Sequence, residues 1–123
     1  MIDFTCGYKD QTLGIKVFIY WYRDLPYLFG QSYILEREVK SAINLILKFE
    51  NVSKFWDVGG NIGYYSFFIS SLLPKSEVVA FEPFHKNIKL FKHTIDFNRI
   101  KNITVVGKAV SNKSGSEDFL VDD

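Results

Sequence analysis

Three short apolar runs, each separated from the next by residues with helical spacing, constrain the fold of this chain more than any other sequence feature. The runs cover residues 54–58, 78–81 and 103–106, and each has the length of one β-strand. The intervening segments predict two helices, one over the apolar stretch 62–73 and one in which apolar residues recur at helical spacing, namely Phe84, Ile88, Phe91 and Ile95. Short strands that are apolar on both faces and alternate with helices are typical of parallel sheets. We therefore predict an α/β fold with a parallel sheet between helices.

The first third of the chain carries further elements ahead of these runs. Residues 13–21 are rich in β-branched and aromatic residues, which predicts a strand and a hairpin with the start of the chain. A following apolar stripe predicts an amphipathic helix that covers a hydrophobic surface through Leu35, Val39, Ala42, Ile46 and Phe49. We predict a hairpin extension over residues 1–32 and the main domain over residues 33–123, in which residues 117–121 begin a fourth strand.

The loop Asp57-Val58-Gly59-Gly60-Asn61-Ile62-Gly63 joins the first predicted strand to its helix. Glycines in such a turn let a ligand approach the backbone, and free N–H groups at a helix start favour an anionic group. Asp57 stands at the carboxyl end of the strand, where open α/β sheets bind their ligands, and its charge suits an ammonium group. The loop therefore predicts a site for an amino-acid-like group.

Glu82 ends the second predicted strand, about 25 residues after Asp57. An acidic residue about 20 residues beyond a glycine loop hydrogen-bonds ribose hydroxyls in nucleotide-binding folds. The implied ligand is a nucleoside with an amino-acid-like end, a description that S-adenosylmethionine matches. The candidate cofactor-binding residues are Asp57, Gly59, Gly60, Asn61, Gly63 and Glu82.

The same region resembles the FkbM family of methyltransferases over roughly residues 35–121. The likeness is carried by residues 55–66 and 80–83, by Asn87, Leu90 and Asn98, and by residues 109–115. It implies a class I, Rossmann-like methyltransferase fold, S-adenosylmethionine as the cofactor, and methyl transfer to a hydroxyl of a sugar or natural product.

The candidate residues match the family's cofactor-binding positions, apart from Gly60, which stands where alanine is commoner. Lys108 occupies a position where many relatives in the wider class have an acidic residue that contacts the adenine amino group. A lysine ammonium cannot accept that hydrogen bond. The resemblance therefore places adenine recognition on backbone groups near Ala109 and Val110.

The resemblance also implies that about half of the domain is absent. Methyltransferases of this class have a seven-stranded sheet, whereas this sequence supplies three core strands and the start of another. The strand that pairs with residues 54–58 in the family is missing, so we expect a fragment or truncated form whose open edge is covered by a partner or by the missing C-terminal half. The family's acceptor-side segment has no counterpart before Asp123, which leaves the catalytic residue unknown.

Composition narrows the remaining classes of function. A net charge of +1 gives no reason to expect general nucleic-acid binding, and no apolar run approaches the roughly 20 residues of a membrane span. The single Cys6, with His85 and His93, does not form a metal-binding pattern. We expect a cytoplasmic protein with no metal and no membrane contact, whose methyl acceptor is a small molecule or a carbohydrate.

Several alternatives stay open. A nicotinamide-dependent dehydrogenase has a similar loop, although its Gly-x-Gly-x-x-Gly turn requires glycine where this chain has Asn61. A truncated domain can also act as a non-catalytic binding or assembly module. Asp57 can serve as a cap for the following helix, and Glu82 as an acidic residue at a helix start. We favour ligand roles for both, because Asp57 precedes two glycines and because the two residues have the paired spacing of a nucleoside site.

Overall fold

The computed structural model describes residues 5–24 and 37–120. In these segments the elements follow in the order β1 (Thr5–Lys9), β2 (Lys16–Tyr20), α1 (Arg37–Phe49), β3 (Lys54–Val58), α2 (Tyr64–Leu72), β4 (Glu77–Phe81), α3 (His85–Asn98) and β5 (Ile103–Val106). The three predicted core strands and the two helices between them are confirmed.

Strands β3, β4 and β5 form a parallel sheet with β4 at its centre. The register places Asp57 beside Ala80 and Ala80 beside Val105. Because parallel strands all end at the same edge of a sheet, Asp57 and Glu82 come together at the carboxyl ends of β3 and β4. The predicted α/β fold with a parallel sheet is confirmed.

One face of this sheet is buried against the helices. Val78 and Ala80 of β4 are fully buried in one core with Phe67 of α2 and Phe91 of α3, whose rings meet edge to face with centroids 5.1 Å apart. Side chains alternate along a strand, and Trp56 of β3, on the other face, is 65% exposed. On that face Val58 is also exposed, so the described core lies on the opposite side of β3.

Helix α1 presents a different side to the core from the one that its apolar stripe predicts. Lys40 is buried, and Ile43 and Leu47 pack against the core. The predicted stripe is exposed at each of its described members, Val39, Ala42, Ile46 and Phe49, while Leu35 lies outside the described residues. The prediction failed because Lys40 lies on the core-facing side, where its alkyl stem is buried and its ammonium donates to the Tyr64 hydroxyl at 2.6 Å.

The hairpin predicted near the start of the chain is confirmed as the antiparallel pair β1 and β2. Helix α3 supplies acceptors for the outer edge of β2. The Phe18 N–H donates to Thr94 Oγ1 at 3.1 Å, and the Lys16 N–H donates to Asn98 Oδ1 at 3.0 Å. An uncovered strand edge invites pairing with other chains, and these side chains block it. The predicted domain boundary between residues 32 and 33 lies outside the described residues.

The fourth strand predicted at residues 117–121 is not formed where the structure describes it. Residues 117–120 have no regular secondary structure, and Phe119 and Leu120 are exposed; Val121 lies outside the described residues. A lone strand without a neighbour gains no cross-strand hydrogen bonds or side-chain pairs. An apolar run of strand length is therefore not sufficient to form a strand here.

The contact between the hairpin and α3 can be tested with Thr94→Val. The variant leaves the Phe18 N–H without its acceptor, so we expect a loss of about 1–2 kcal/mol in the free energy of unfolding. Thr104→Val makes the same chemical change at an exposed position of β5 and should stay within about 0.5 kcal/mol of the wild type. Urea denaturation followed by circular dichroism measures both. Equally small losses would contradict the role of Thr94.

Candidate functional site

The loop between β3 and α2 is held by its own N–H groups. Those of Gly59 and Gly60 both donate to the Phe81 carbonyl, at 2.9 and 3.0 Å, and that of Gly63 donates to the Gly60 carbonyl at 2.8 Å. The Asn61 N–H donates to Glu82 Oε2 at 2.8 Å. Each of these four N–H groups therefore has a protein acceptor and is not free to meet an anionic group of a ligand.

The backbone of the loop explains three of the predicted residues. Gly59, Asn61 and Gly63 have φ angles of 78°, 51° and 96°, in the left-handed region that glycine and asparagine tolerate best. A Cβ at Gly63 would come within 2.2 Å of the Phe91 ring, whereas a Cβ at Gly59 would meet nothing within 4 Å. Gly63 is thus required by packing, while Gly59 borders open space from which a ligand can approach the backbone.

Gly60 is constrained less tightly. A Cβ at this position would lie 3.4 Å from the Ala80 Cβ and 3.4 Å from the Phe91 ring. Its φ angle is not positive, so an alanine adds a close contact without strain in the backbone. Alanine at this position, the commoner residue in the family that the sequence resembles, is therefore compatible with the loop.

Asp57 is buried at the end of β3 and hydrogen-bonds into α2. Its Oδ2 accepts from the N–H and from the hydroxyl of Ser66, at 3.1 and 2.6 Å. Ser66 is the third residue of α2, and the residue at the helix N-cap, Gly63, has no side chain to bond the first N–H groups. The capping role that was the alternative for Asp57 is thus present. Among the described residues, none donates to its other oxygen, Oδ1.

The electrostatic environment of Asp57 disfavours a negative charge. Burial raises the pKa of its carboxyl group above the ordinary value, the two Ser66 hydrogen bonds lower it, and the nearby Glu82 carboxylate adds to the increase. A cation at Oδ1 would compensate both the burial and the repulsion. The loop therefore presents an acceptor with a preference for positively charged groups.

Glu82 is buried at the end of β4 and connects three segments. Its Oε2 accepts from the Asn61 N–H, and its Oε1 accepts from the Phe84 N–H at 2.9 Å and from Asn87 Nδ2 at 3.2 Å. An ionised carboxylate offers about four acceptor positions, so one remains at Oε2. Its bond to Phe84, which precedes α3, gives it the predicted alternative role at the helix start, and the free acceptor leaves room for a ligand hydroxyl.

The structure thus brings all six predicted residues together around one turn, and it adds Ser66 and Asn87, which the sequence analysis named only among the residues that carry the FkbM resemblance. Ser66 was not assigned a role, because its partner Asp57, which caps the helix start, lies nine positions earlier in the chain. Asn87 was visible as a polar residue within the apolar spacing of α3, but its contact with Glu82 depends on the turn at Pro83.

Other kinds of site find no support in the described residues. Within residues 5–24 and 37–120, no group of three or more His, Cys, Asp or Glu side chains is placed to hold a metal ion. His93 is exposed and its ring stacks on Phe18 with centroids 3.9 Å apart, and His85 is also exposed. None of the described helices is both long and apolar enough to cross a lipid bilayer.

Comparison with solved structures identifies the architecture. Precorrin-6y C5,15-methyltransferase from Geobacter metallireducens superposes with a TM-score of 0.50 and 21% identity over 62% of this chain. A protein from Pyrococcus horikoshii described as a transferase superposes with a TM-score of 0.59 and 15% identity over 87% of this chain. This chain has a methyltransferase fold.

The methyltransferase fold is established here by structure rather than by sequence. No family model matches the chain, and no curated protein matches it in sequence. The resemblance to the FkbM family therefore stays a prediction. The chain spans 40% of the length of the Geobacter protein and 37% of that of the Pyrococcus protein.

The two outer glycines of the loop should respond differently to alanine. Gly59→Ala adds only backbone strain, so we expect a loss of about 1–2 kcal/mol. Gly63→Ala adds a clash with Phe91 to the same strain, which should bring the total to about 2–5 kcal/mol. Urea denaturation measures both. A Gly59→Ala variant that loses as much as Gly63→Ala would show that the space beside Gly59 is not open.

The buried carboxyl of Asp57 makes a prediction about pH. Because its pKa is raised in the folded state, the folded protein retains this proton more strongly than the unfolded chain does. The resulting stabilisation is complete below the unfolded pKa of about 3.9 and is lost as pH rises through the folded pKa. Asp57→Asn keeps an acceptor for Ser66 but does not titrate, so its stability relative to the wild type should increase from pH 4 to pH 7.

Urea denaturation at both pH values measures this difference. Asp57→Ala is the control for the cap, since it has no acceptor for Ser66 and should be less stable than Asp57→Asn by about 1 kcal/mol at either pH. A difference between wild type and Asp57→Asn that does not change with pH would contradict the effect of burial on this carboxyl.

Proposed function

We propose that this chain binds S-adenosylmethionine and forms the cofactor-binding part of an S-adenosylmethionine-dependent methyltransferase of the FkbM type. The observation that carries the proposal is the pair of buried carboxylates, Asp57 and Glu82, on either side of one glycine turn at the carboxyl ends of β3 and β4. Each has an acceptor position to which no group in the described part of the chain donates. The likeness to a solved methyltransferase supports the fold but does not by itself supply the activity.

The unused acceptors suit the two ends of this cofactor. The amino group of its methionine part would bind Asp57 Oδ1, where a positive charge offsets the burial of the carboxylate. A ribose hydroxyl would donate to Glu82 Oε2, next to the Asn61 N–H. Gly59 borders open space and allows close approach to the backbone. The cofactor supplies a methyl group on a sulfonium ion, ready for displacement.

The described residues would contribute to the reaction by positioning. Methyl transfer is a displacement in line with the breaking bond, so holding the donor in one orientation accounts for a large part of the rate. Asp57 and Glu82 hold the two ends of the donor from the ends of two adjacent strands, which limits its motion. We propose the hydroxyl of a sugar or of another small natural product as the acceptor, by resemblance to the FkbM family.

The loop geometry argues against the dehydrogenase alternative. A dinucleotide cofactor places its pyrophosphate against backbone N–H groups of the glycine turn. Here the N–H groups of Gly59, Gly60, Asn61 and Gly63 all donate to protein acceptors. These four N–H groups are therefore not available to a phosphate, whereas the carboxylates of Asp57 and Glu82 offer acceptors to a cationic group.

We also propose that a further segment or a partner covers the outer edge of β3. In the part of the chain that the structure describes, β4 is the only strand paired with β3, and Trp56 and Val58 are more than half exposed. An uncovered apolar strand promotes association with other chains. Without such a cover, the chain would act as a cofactor-binding or assembly module. A cytoplasmic location remains part of the proposal.

Calorimetric titration with S-adenosylhomocysteine tests the proposed site. Asp57→Asn retains the helix cap, and Glu82→Gln retains side-chain size, yet each replaces a charged acceptor with a neutral amide. We expect each to weaken binding by at least about tenfold. Glu77→Gln makes the same change at an exposed position of β4 and should leave the affinity unaltered. Unchanged affinity in both site variants would contradict the proposal.

A further inference from the structure

Asn87 contacts Glu82 from the first turn of α3. It is 9% exposed, and its Nδ2 donates to Glu82 Oε1 at 3.2 Å. Its Oδ1 is buried without a hydrogen-bond partner. Every other buried side-chain nitrogen or oxygen in the described part of the chain has one. The reversed amide would place two acceptor oxygens against each other, so the contact with Glu82 determines the orientation of Asn87.

Packing does not account for an asparagine at this position. A buried acceptor without a partner is unfavourable, and leucine has a similar size without polar atoms. The neighbouring Leu90 and Phe91 show that this side of α3 accommodates apolar side chains in the core. The feature that distinguishes Asn87 from an apolar residue is therefore its hydrogen bond to the carboxylate of Glu82.

That hydrogen bond restricts the rotation of the carboxylate. The terminal torsion of a glutamate is broad, and external donors must fix it. Asn87 and the Phe84 N–H together occupy Oε1, while Oε2 accepts from the Asn61 N–H alone. Since Asn87 is anchored on a 14-residue helix rather than on the loop, it fixes the plane of the carboxylate so that one oxygen, Oε2 here, faces the loop.

We propose that Asn87 is a positioning residue that orients Glu82 Oε2 toward the ribose of the bound nucleoside. The inference rests on the proposed function and deepens it, because it makes recognition of the ribose hydroxyls depend on a residue that does not touch them. Removing Asn87 should thus reduce discrimination between ribose and a sugar without hydroxyls, rather than binding in general.

The test compares S-adenosylhomocysteine with its 2′,3′-dideoxy analogue by calorimetric titration. We expect the wild type to prefer the ribose form by at least about tenfold. Asn87→Leu should lose most of this preference, while its affinity for the dideoxy analogue stays within about twofold of the wild type, since the other contacts remain. Asn87→Asp, which places a second carboxylate against Glu82 Oε1, should lose the preference as well.

Two controls separate positioning from a structural role. Asn98→Leu removes the contact of another α3 asparagine, one that bonds the hairpin at the far end of the helix; it should lower stability and leave the ribose preference unchanged. In a Glu82→Gln background, Asn87→Leu should have no further effect on the preference, because the residue that it orients has been altered.

The outcomes distinguish the two proposals. A wild type that does not bind S-adenosylhomocysteine overturns the proposed function and the inference with it, whereas a wild type that binds both ligands equally overturns only the ribose role of Glu82 and, with it, the inference. A wild type that prefers ribose through Glu82, combined with Asn87→Leu and Asn87→Asp variants that keep that preference, overturns the inference alone. If Asn87→Leu does not fold, the asparagine is required for the structure, and the result for Asn87→Asp decides the inference.

Discussion

Ser66 donates both its N–H and its hydroxyl to one oxygen of Asp57, and these two bonds hold the end of β3 against the start of α2. The loop between them is short and rich in glycine, so it has few side chains with which to fix its own shape. Glu82 makes the equivalent connection from β4 by accepting the Asn61 N–H. Each carboxylate is thus held rigidly through part of its acceptor capacity, which leaves the remainder in a fixed place for a ligand.

Features that depend on neighbouring residues in the chain could be predicted from the sequence. The strand that ends at Asp57, the glycine turn and the strand that ends at Glu82 all follow from local apolar spacing and from the conformational freedom of glycine. The buried face of α1 could not be predicted in this way. Lys40 lies on that face because its alkyl stem is buried and its ammonium bonds Tyr64, a residue 24 positions away. The apolar pattern alone does not show which side of such a helix meets the core.

The structure brings the predicted site residues together, but the backbone groups of their loop are bonded differently from what a ligand-binding turn suggests. We expected the glycines to expose the backbone to a ligand and the free N–H groups at the helix start to face it, as N–H groups do in phosphate-binding turns. In the structure those of Gly59 and Gly60 bond the Phe81 carbonyl, which attaches the turn to the central strand. A sequence shows where glycines stand, whereas the partner of each N–H depends on the strand that lies beside the turn. Here the partner is a carbonyl of β4, which the local sequence pattern could not predict.

The two solved structures, at 15 and 21% identity, show the fold but do not identify the ligand. The polar groups that the turn presents therefore bear directly on function, and they are carboxylate acceptors rather than N–H donors. A turn with free N–H groups stabilises an anion, whereas in this turn the N–H groups of Gly59, Gly60, Asn61 and Gly63 are paired and two buried carboxylates lie at the ends. Their mutual repulsion contributes to the raised pKa of Asp57, so a ligand that brings a positive charge is favoured over one that brings a phosphate. The proposed amino-acid group attached to a nucleoside would meet both requirements at once, since its ammonium would pair with one carboxylate while its ribose hydroxyls would donate to the other.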